Sequence, residues 1–175
     1  MYNEMLNMRG QKVRNLYKNL DNWLSNQNIN SLMSQSIKAE ELFRKVGITF
    51  NVYGEDEAEE RLIPFDLMPR IIDSKEWGFI EKGITQRLIA LNMFLEDIYS
   101  KQNIVKENII PSKLINNNAA FLPEMCDFKP PGGIYTHISG IDLVRTSEKN
   151  FFVLEDNLRV PSGASYMIEN RSTMM

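Results

Sequence analysis

The chain of 175 residues is 43% hydrophobic and 25% charged, a composition that supports a packed core and excludes disorder as the default. Its 20 Lys and Arg stand against 23 Asp and Glu, a formal charge of -3, and the basic residues are scattered, which excludes the electrostatic footprint of a nucleic-acid binder. A single cysteine and a single histidine exclude an intrachain disulfide and a Cys/His zinc cluster, so any metal is held by oxygen.

The start, Met1 to Met5, lacks a basic region followed by an apolar one, and no run approaches the length of a membrane span, so a cytoplasmic protein without membrane contact is the simplest expectation. Leu6, Val13, Leu16, Leu20 and Leu24 recur at helical spacings and predict a surface helix with a frayed end over residues 1–25. A second helical stretch is expected over 38–46, ended by Gly47, a residue that readily adopts the left-handed conformation at a helix terminus. Residues 1–37 thus read as an N-terminal helical segment and 38–175 as the main domain. Ile48 to Tyr53 then reads as a strand, Gly54 with the acidic run to Glu60 as a turn, and Arg61 to Phe65 as a returning strand. The acidic run lacks the spacing of a calcium loop.

The longest predicted element is a helix from Ser74, its expected N-cap, to about residue 100. Its core face is Trp77, Ile80, Ile84, Leu88, Leu91, Leu95 and Ile98. Gly83 inside it implies either a closely packed neighbour or a break in the helix, and close packing is the expectation. Pro111 opens a short helix through Ile115, and Asn116 to Asn118 and Pro130 to Gly133 read as loops, the latter without the spacing of a phosphate-binding motif.

Tyr135 to Val144 and Phe151 to Leu154 are rich in strand-forming residues, and the polar Thr146 to Asn150 between them suggests a hairpin. With Glu148 and Lys149 at the centre of the turn, Ser147 faces Asn150 and Asp142 faces Glu155. Two carboxylates that close repel unless a cation joins them. Asn157, two residues on, points to the same face, so Asp142, Glu155 and Asn157 form a candidate magnesium set. Arg159 is a candidate phosphate donor, and Pro161, Ser162 and Gly163 form a turn able to approach an anion. Spacing alone leaves the alternative open: Asp142 paired with Arg145, and a solvated strand end at Glu155 to Asn157.

The order Asp142, a short hairpin, Glu155-Asp156-Asn157 resembles the magnesium-binding end of ATP-grasp enzymes, where an Asp, about a dozen residues and Glu-x-Asn recur. Residues 47–54, 63–66 and 165–171 are similar to the circularly permuted ATP-grasp type 2 family, and the resemblance covers most of the chain from Ala39 onward. It implies an α+β fold, an antiparallel sheet with flanking helices forming an incomplete part of an ATP-grasp domain. It also implies a ligase that uses ATP and Mg2+ to join a small-molecule or peptide carboxylate to an amine through an acyl phosphate, as in glutathionylspermidine synthetase-like relatives. Asp142, Glu155 and Asn157 would hold the metal, with Arg159 as the catalytic group. Arg159, Ser162, Gly163 and Arg171 would bind the nucleotide. One departure is Gly140, where other ATP-grasp ligases often carry an Arg, a loss that Arg145 or Arg159 would have to offset. The family is longer than 175 residues, so the chain is expected to be an N-terminal fragment that needs a C-terminal half with the adenine pocket. A non-catalytic interaction module and a metal-dependent phosphohydrolase fragment are the alternatives. His137 reads as a structural strand histidine or a proton-transfer group, Arg171 as an anion ligand or a salt-bridge partner at a helix start, and Cys126 as a packing residue.

Overall fold

A computed structural model describes residues 2–6, 12–51 and 60–174. In chain order the helices are α1 (Lys18–Ser25), α2 (Ile29–Val46), α3 (Ser74–Ile98), α4 (Asn103–Lys106), α5 (Lys113–Asn116) and α6 (Gly163–Met174). The strands are β1 (Thr49–Asn51), β2 (Glu60–Leu62), β3 (Gly140–Arg145) and β4 (Phe151–Asn157). The chain divides into two units, Met1–Ser74 with Leu143–Leu154 and Ser162–Met175, and Lys75–Asp142 with Glu155–Pro161. Instead of one sheet, β1 pairs with β2 and β3 with β4 in separate two-stranded sheets.

In the first unit the helix predicted over 1–25 shrinks to a 3-10 turn at Asn15–Tyr17 followed by α1. A bridge between Leu6 and Val13 engages the preceding chain as an extended pair instead. The helix expected at 38–46 starts earlier, because the Asn28 side chain accepts from Asn30 N at 2.9 Å and caps a helix that begins at Ile29. It ends as predicted at Gly47, whose φ of 75° is left-handed. Phe43, 1% exposed, packs edge-to-face on Phe65 with ring centroids 5.2 Å apart. Thr49 pairs with Leu62 in the short antiparallel ladder; of the acidic turn predicted at 54–60, residues 54–59 lie outside the described residues and Glu60 opens β2 instead.

In the second unit α3 runs unbroken to Ile98. Ile80 and Ile98 are buried, and Ile84, Leu88, Leu91 and Leu95 are half-buried along the predicted stripe, whereas Trp77 is exposed. Ser74 is the first helical residue rather than the cap. Ile98, Tyr99 and Ile115 form a small core joined by Leu95, Phe121 and Tyr135, with Tyr99 stacked on Phe121 and Tyr135. Asp97 caps α4 by accepting from Asn103 N and Ile104 N at 3.0 and 2.9 Å, and the bond from Ile104 N, the larger cause, lowers its carboxyl pKa. The Pro130 to Gly133 stretch makes a 3-10 turn rather than open loop, held by Asn92, which donates to Gly133 O and accepts from Tyr135 N. Cys126 is exposed, not a packing residue. Among the described residues no helix is long and apolar enough to cross a membrane.

Gly83 overturns the expectation of close packing, since a Cβ there would meet nothing within 4 Å. Its only role in α3 is then an entropic cost. Gly83→Ala should raise stability by about 1 kcal/mol, seen as a higher urea midpoint. A lower midpoint would mean that something does pack against this glycine.

Candidate functional site

Exposure alternates through β3, from half-buried Ile141 through exposed Asp142, half-buried Leu143 and exposed Val144 to buried Arg145. β4 follows the same rhythm, with Phe151 and Val153 half-buried and Phe152 and Leu154 exposed. The rhythm breaks at Glu155, exposed directly after Leu154, and again at Asn157, half-buried directly after half-buried Asp156.

Contacts define the two ends of the hairpin. At the tip, Thr146 N donates to Asn150 O at 3.1 Å. Asn150 N in turn donates to Ser147 O at 3.4 Å, so Ser147 faces Asn150 across Glu148 and Lys149 as predicted. At the base, a Cβ on Gly140 would lie 3.6 Å from Asn157 Cβ, so these residues face each other as the predicted register requires. Asp142 and Glu155 are both exposed at the base of the hairpin, with half-buried Asn157 two residues further along β4.

None of the side chains of Asp142, Glu155, Asn157 and Arg159 has a hydrogen-bond or ion-pair partner among the described residues. Pairing of Asp142 with Arg145 is excluded by strand parity, because Arg145 faces the other side. Its side chain is 2% exposed, with the guanidinium 5.4 Å from the Tyr2 ring centroid and 4.8 Å from that of Phe151. It donates to Ser147 O and Glu148 O and reaches Glu4 Oε2 at 3.4 Å. Glu4 Oε1 in turn holds Arg70 Nε at 2.8 Å. Arg145 is committed to the tip and the N-terminal segment, and cannot replace an Arg missing at position 140.

Gly140 is itself explained by crowding. A Cβ there would come within 2.9 Å of Pro161 Cβ, a ring atom with little freedom to move. Gly140→Ala should therefore cost roughly 1–3 kcal/mol through overpacking, read as a fall in the urea midpoint. An unchanged midpoint would show that Pro161 can give way and that an Arg is tolerated there.

Asp156, between Glu155 and Asn157, points inward and is held by Arg87 of α3 through two bonds, Nε to Oδ1 at 2.7 Å and Nη2 to Oδ2 at 2.5 Å. That side-chain bond, the larger cause, draws the Asp156 carboxyl pKa down. Sequence reading missed this pair. Alternation along Glu155-Asp156-Asn157 turns Asp156 inward, but nothing local identifies a partner 69 residues away.

Ser162, Gly163 and Arg171 belong to the first unit. Ser162 O accepts from Ser165 N and Oγ just before α6, which Gly163 opens with nothing near its Cβ position. Arg171 is exposed in the last turn of α6, so it cannot close a salt bridge at a helix start, and its charge complements the negative end of the helix. The strand expected from Tyr135 begins only at Gly140, and His137 is an exposed bend residue. Among the described residues no group of three or more His, Cys, Asp or Glu could hold a metal; the base of the hairpin offers two carboxylates and an amide.

A family model described as circularly permuted ATP-grasp type 2 matches residues 69–175. An uncharacterized protein of Synechocystis is 52% identical over 129 residues, 74% of this chain and 27% of its own length. Another, of Mycobacterium leprae, is 42% identical over 99% of this chain and 30% of its own. A protein of Frankia casuarinae named as a candidate glutamate–cysteine ligase is 42% identical over 71% of this chain and 14% of its own. The chain thus spans 30% or less of the length of these relatives.

Proposed function

The chain belongs to the circularly permuted ATP-grasp type 2 family, and on that premise we propose that it carries the magnesium-holding part of an ATP-dependent carboxylate–amine ligase. The observation that carries this reading is the hairpin base, where Asp142 and Glu155 stand exposed without a cationic partner. Two like charges so placed repel each other, and a fold keeps such an arrangement where a cation resolves it. The donors are hard oxygens, two carboxylates and the Asn157 amide, which suits magnesium and leaves positions in its octahedron for phosphate oxygens and water.

Bound MgATP would supply the phosphoryl group that converts a carboxylate into an acyl phosphate, the activated form that an amine attacks. The chain's own residues hold and orient. Asp142 and Glu155 contribute negative charge, Asn157 a neutral oxygen, and Arg159 a forked donor for phosphate oxygens. Ser162 and Gly163 offer a hydroxyl and backbone N–H groups at the start of α6, and Arg171 a guanidinium, as anion contacts. The name of the Frankia relative supports an acid and an amine of amino-acid size as substrates. Since the chain spans a minor part of its relatives' length, the ligase reaction is proposed for these residues acting with the rest of that length.

Manganese titrated into the isolated chain tests the metal site without needing turnover. Paramagnetic broadening should appear first at residues 142, 155 and 157 and disappear in Asp142→Asn. Broadening spread over the acidic surface at large would end this assignment.

A further inference from the structure

We propose that Arg87 is a positioning residue for the metal ligands, acting through Asp156 to fix the rotation of β4 about its own axis. The inference rests on the magnesium reading of Asp142, Glu155 and Asn157. Side chains on a strand alternate between faces, so the direction of Asp156 determines the directions of Glu155 and Asn157 on either side of it. This segment is the end of β4, where exposure stops alternating, with Leu154 and Glu155 exposed and Asp156 and Asn157 half-buried, and the end of a strand is held by fewer ladder bonds than its middle. Ladder hydrogen bonds alone therefore define the strand's rotation least well where the ligands stand.

Arg87 supplies the missing constraint. A single hydrogen bond to Asp156 would let the carboxylate swivel, whereas bonds from Nε and Nη2 to both oxygens, at 2.7 and 2.5 Å, fix its plane. The fork rises from α3, an unbroken helix whose C-terminal end is anchored in the core by Leu95 and Ile98. Most exposed ion pairs contribute little to stability, but Asp156 is only 19% exposed and sits between two proposed ligands. Its orientation therefore bears on the ligands more than on the folding equilibrium.

The test is manganese affinity of the 175-residue chain, followed by electron paramagnetic resonance, with the melting temperature recorded for each variant. Arg87→Ala should weaken binding about tenfold, as expected when a group supporting a metal ligand is lost, with little change in melting temperature. Arg87→Lys should recover only part of the affinity, because an ammonium keeps the charge but not the fork. Asp156→Asn approaches the same pair from the strand and should also weaken binding. Glu155→Gln separates the two claims. If it weakens binding while Arg87→Ala stays within twofold of the parent, Arg87 has no positioning role and the metal site stands. If neither variant alters binding, or the parent shows no saturable site, both readings fall. A drop in melting temperature at unchanged affinity in Arg87→Ala would make the pair purely structural and overturn the proposal.

Discussion

Glu155→Gln, placed in a full-length relative that carries this stretch, is expected to lower amine-dependent ATP turnover by roughly a hundredfold or more while leaving stability unchanged or slightly higher. The opposite signs follow from the geometry. Glu155 and Asp142 are both exposed at the hairpin base without a cationic partner, so removing one charge relieves repulsion. On the proposed magnesium reading the same change deletes one of two anionic ligands, and a lost metal ligand costs several kcal/mol of transition-state stabilisation. Excess magnesium should restore part of the rate. A structural role for the pair predicts the reverse, a lower melting temperature and unchanged turnover per folded molecule. Measuring both on one variant across a magnesium titration decides, and unchanged turnover would remove the ligase role from this hairpin.

Arg145→Ala should destabilise the isolated chain by roughly 3–5 kcal/mol, the range for breaking a buried, hydrogen-bonded ion pair. The guanidinium sits between the rings of Tyr2 and Phe151 and satisfies two tip carbonyls. It also shares with Arg70 the Glu4 carboxylate, which is 14% exposed. Removing it leaves those carbonyls short of a donor and opens a cavity beside two aromatic rings. Arg145→Lys should recover only part of the loss, since an ammonium cannot lie flat between rings and bond in three directions. Urea unfolding measures both variants, and a cost below about 1 kcal/mol for Arg145→Ala would show that the N-terminal segment is held by other contacts.

The hairpin that carries Asp142 and Glu155 was legible in the sequence. A two-residue turn and a regular ladder predict that Asp142 faces Glu155. The structure keeps Ser147 opposite Asn150 and leaves both carboxylates exposed at the hairpin base. The long stripe of α3 and the Gly47 end of α2 were readable, whereas the Asn28 start of α2 and the extended chain before α1 were not. Trp77 failed because periodicity shows which face is apolar but not how far along a helix the core reaches. Glu4 with Arg145, separated by 141 residues, and Arg87 with Asp156 are products of tertiary folding, and no local pattern announces them.

The outer face of the hairpin also bears Val144, Phe152 and Leu154, of which Phe152 is 58% and Leu154 73% exposed. A cell reads such surface as damage. Chaperones and proteases act on exposed apolar side chains and open strand edges irrespective of whether the remainder of a molecule is folded. The abundance of these 175 residues produced alone would then follow how fast that face is hidden, and a substitution such as Phe152→Thr should lengthen their lifetime in the cell even if it left the melting temperature where it was.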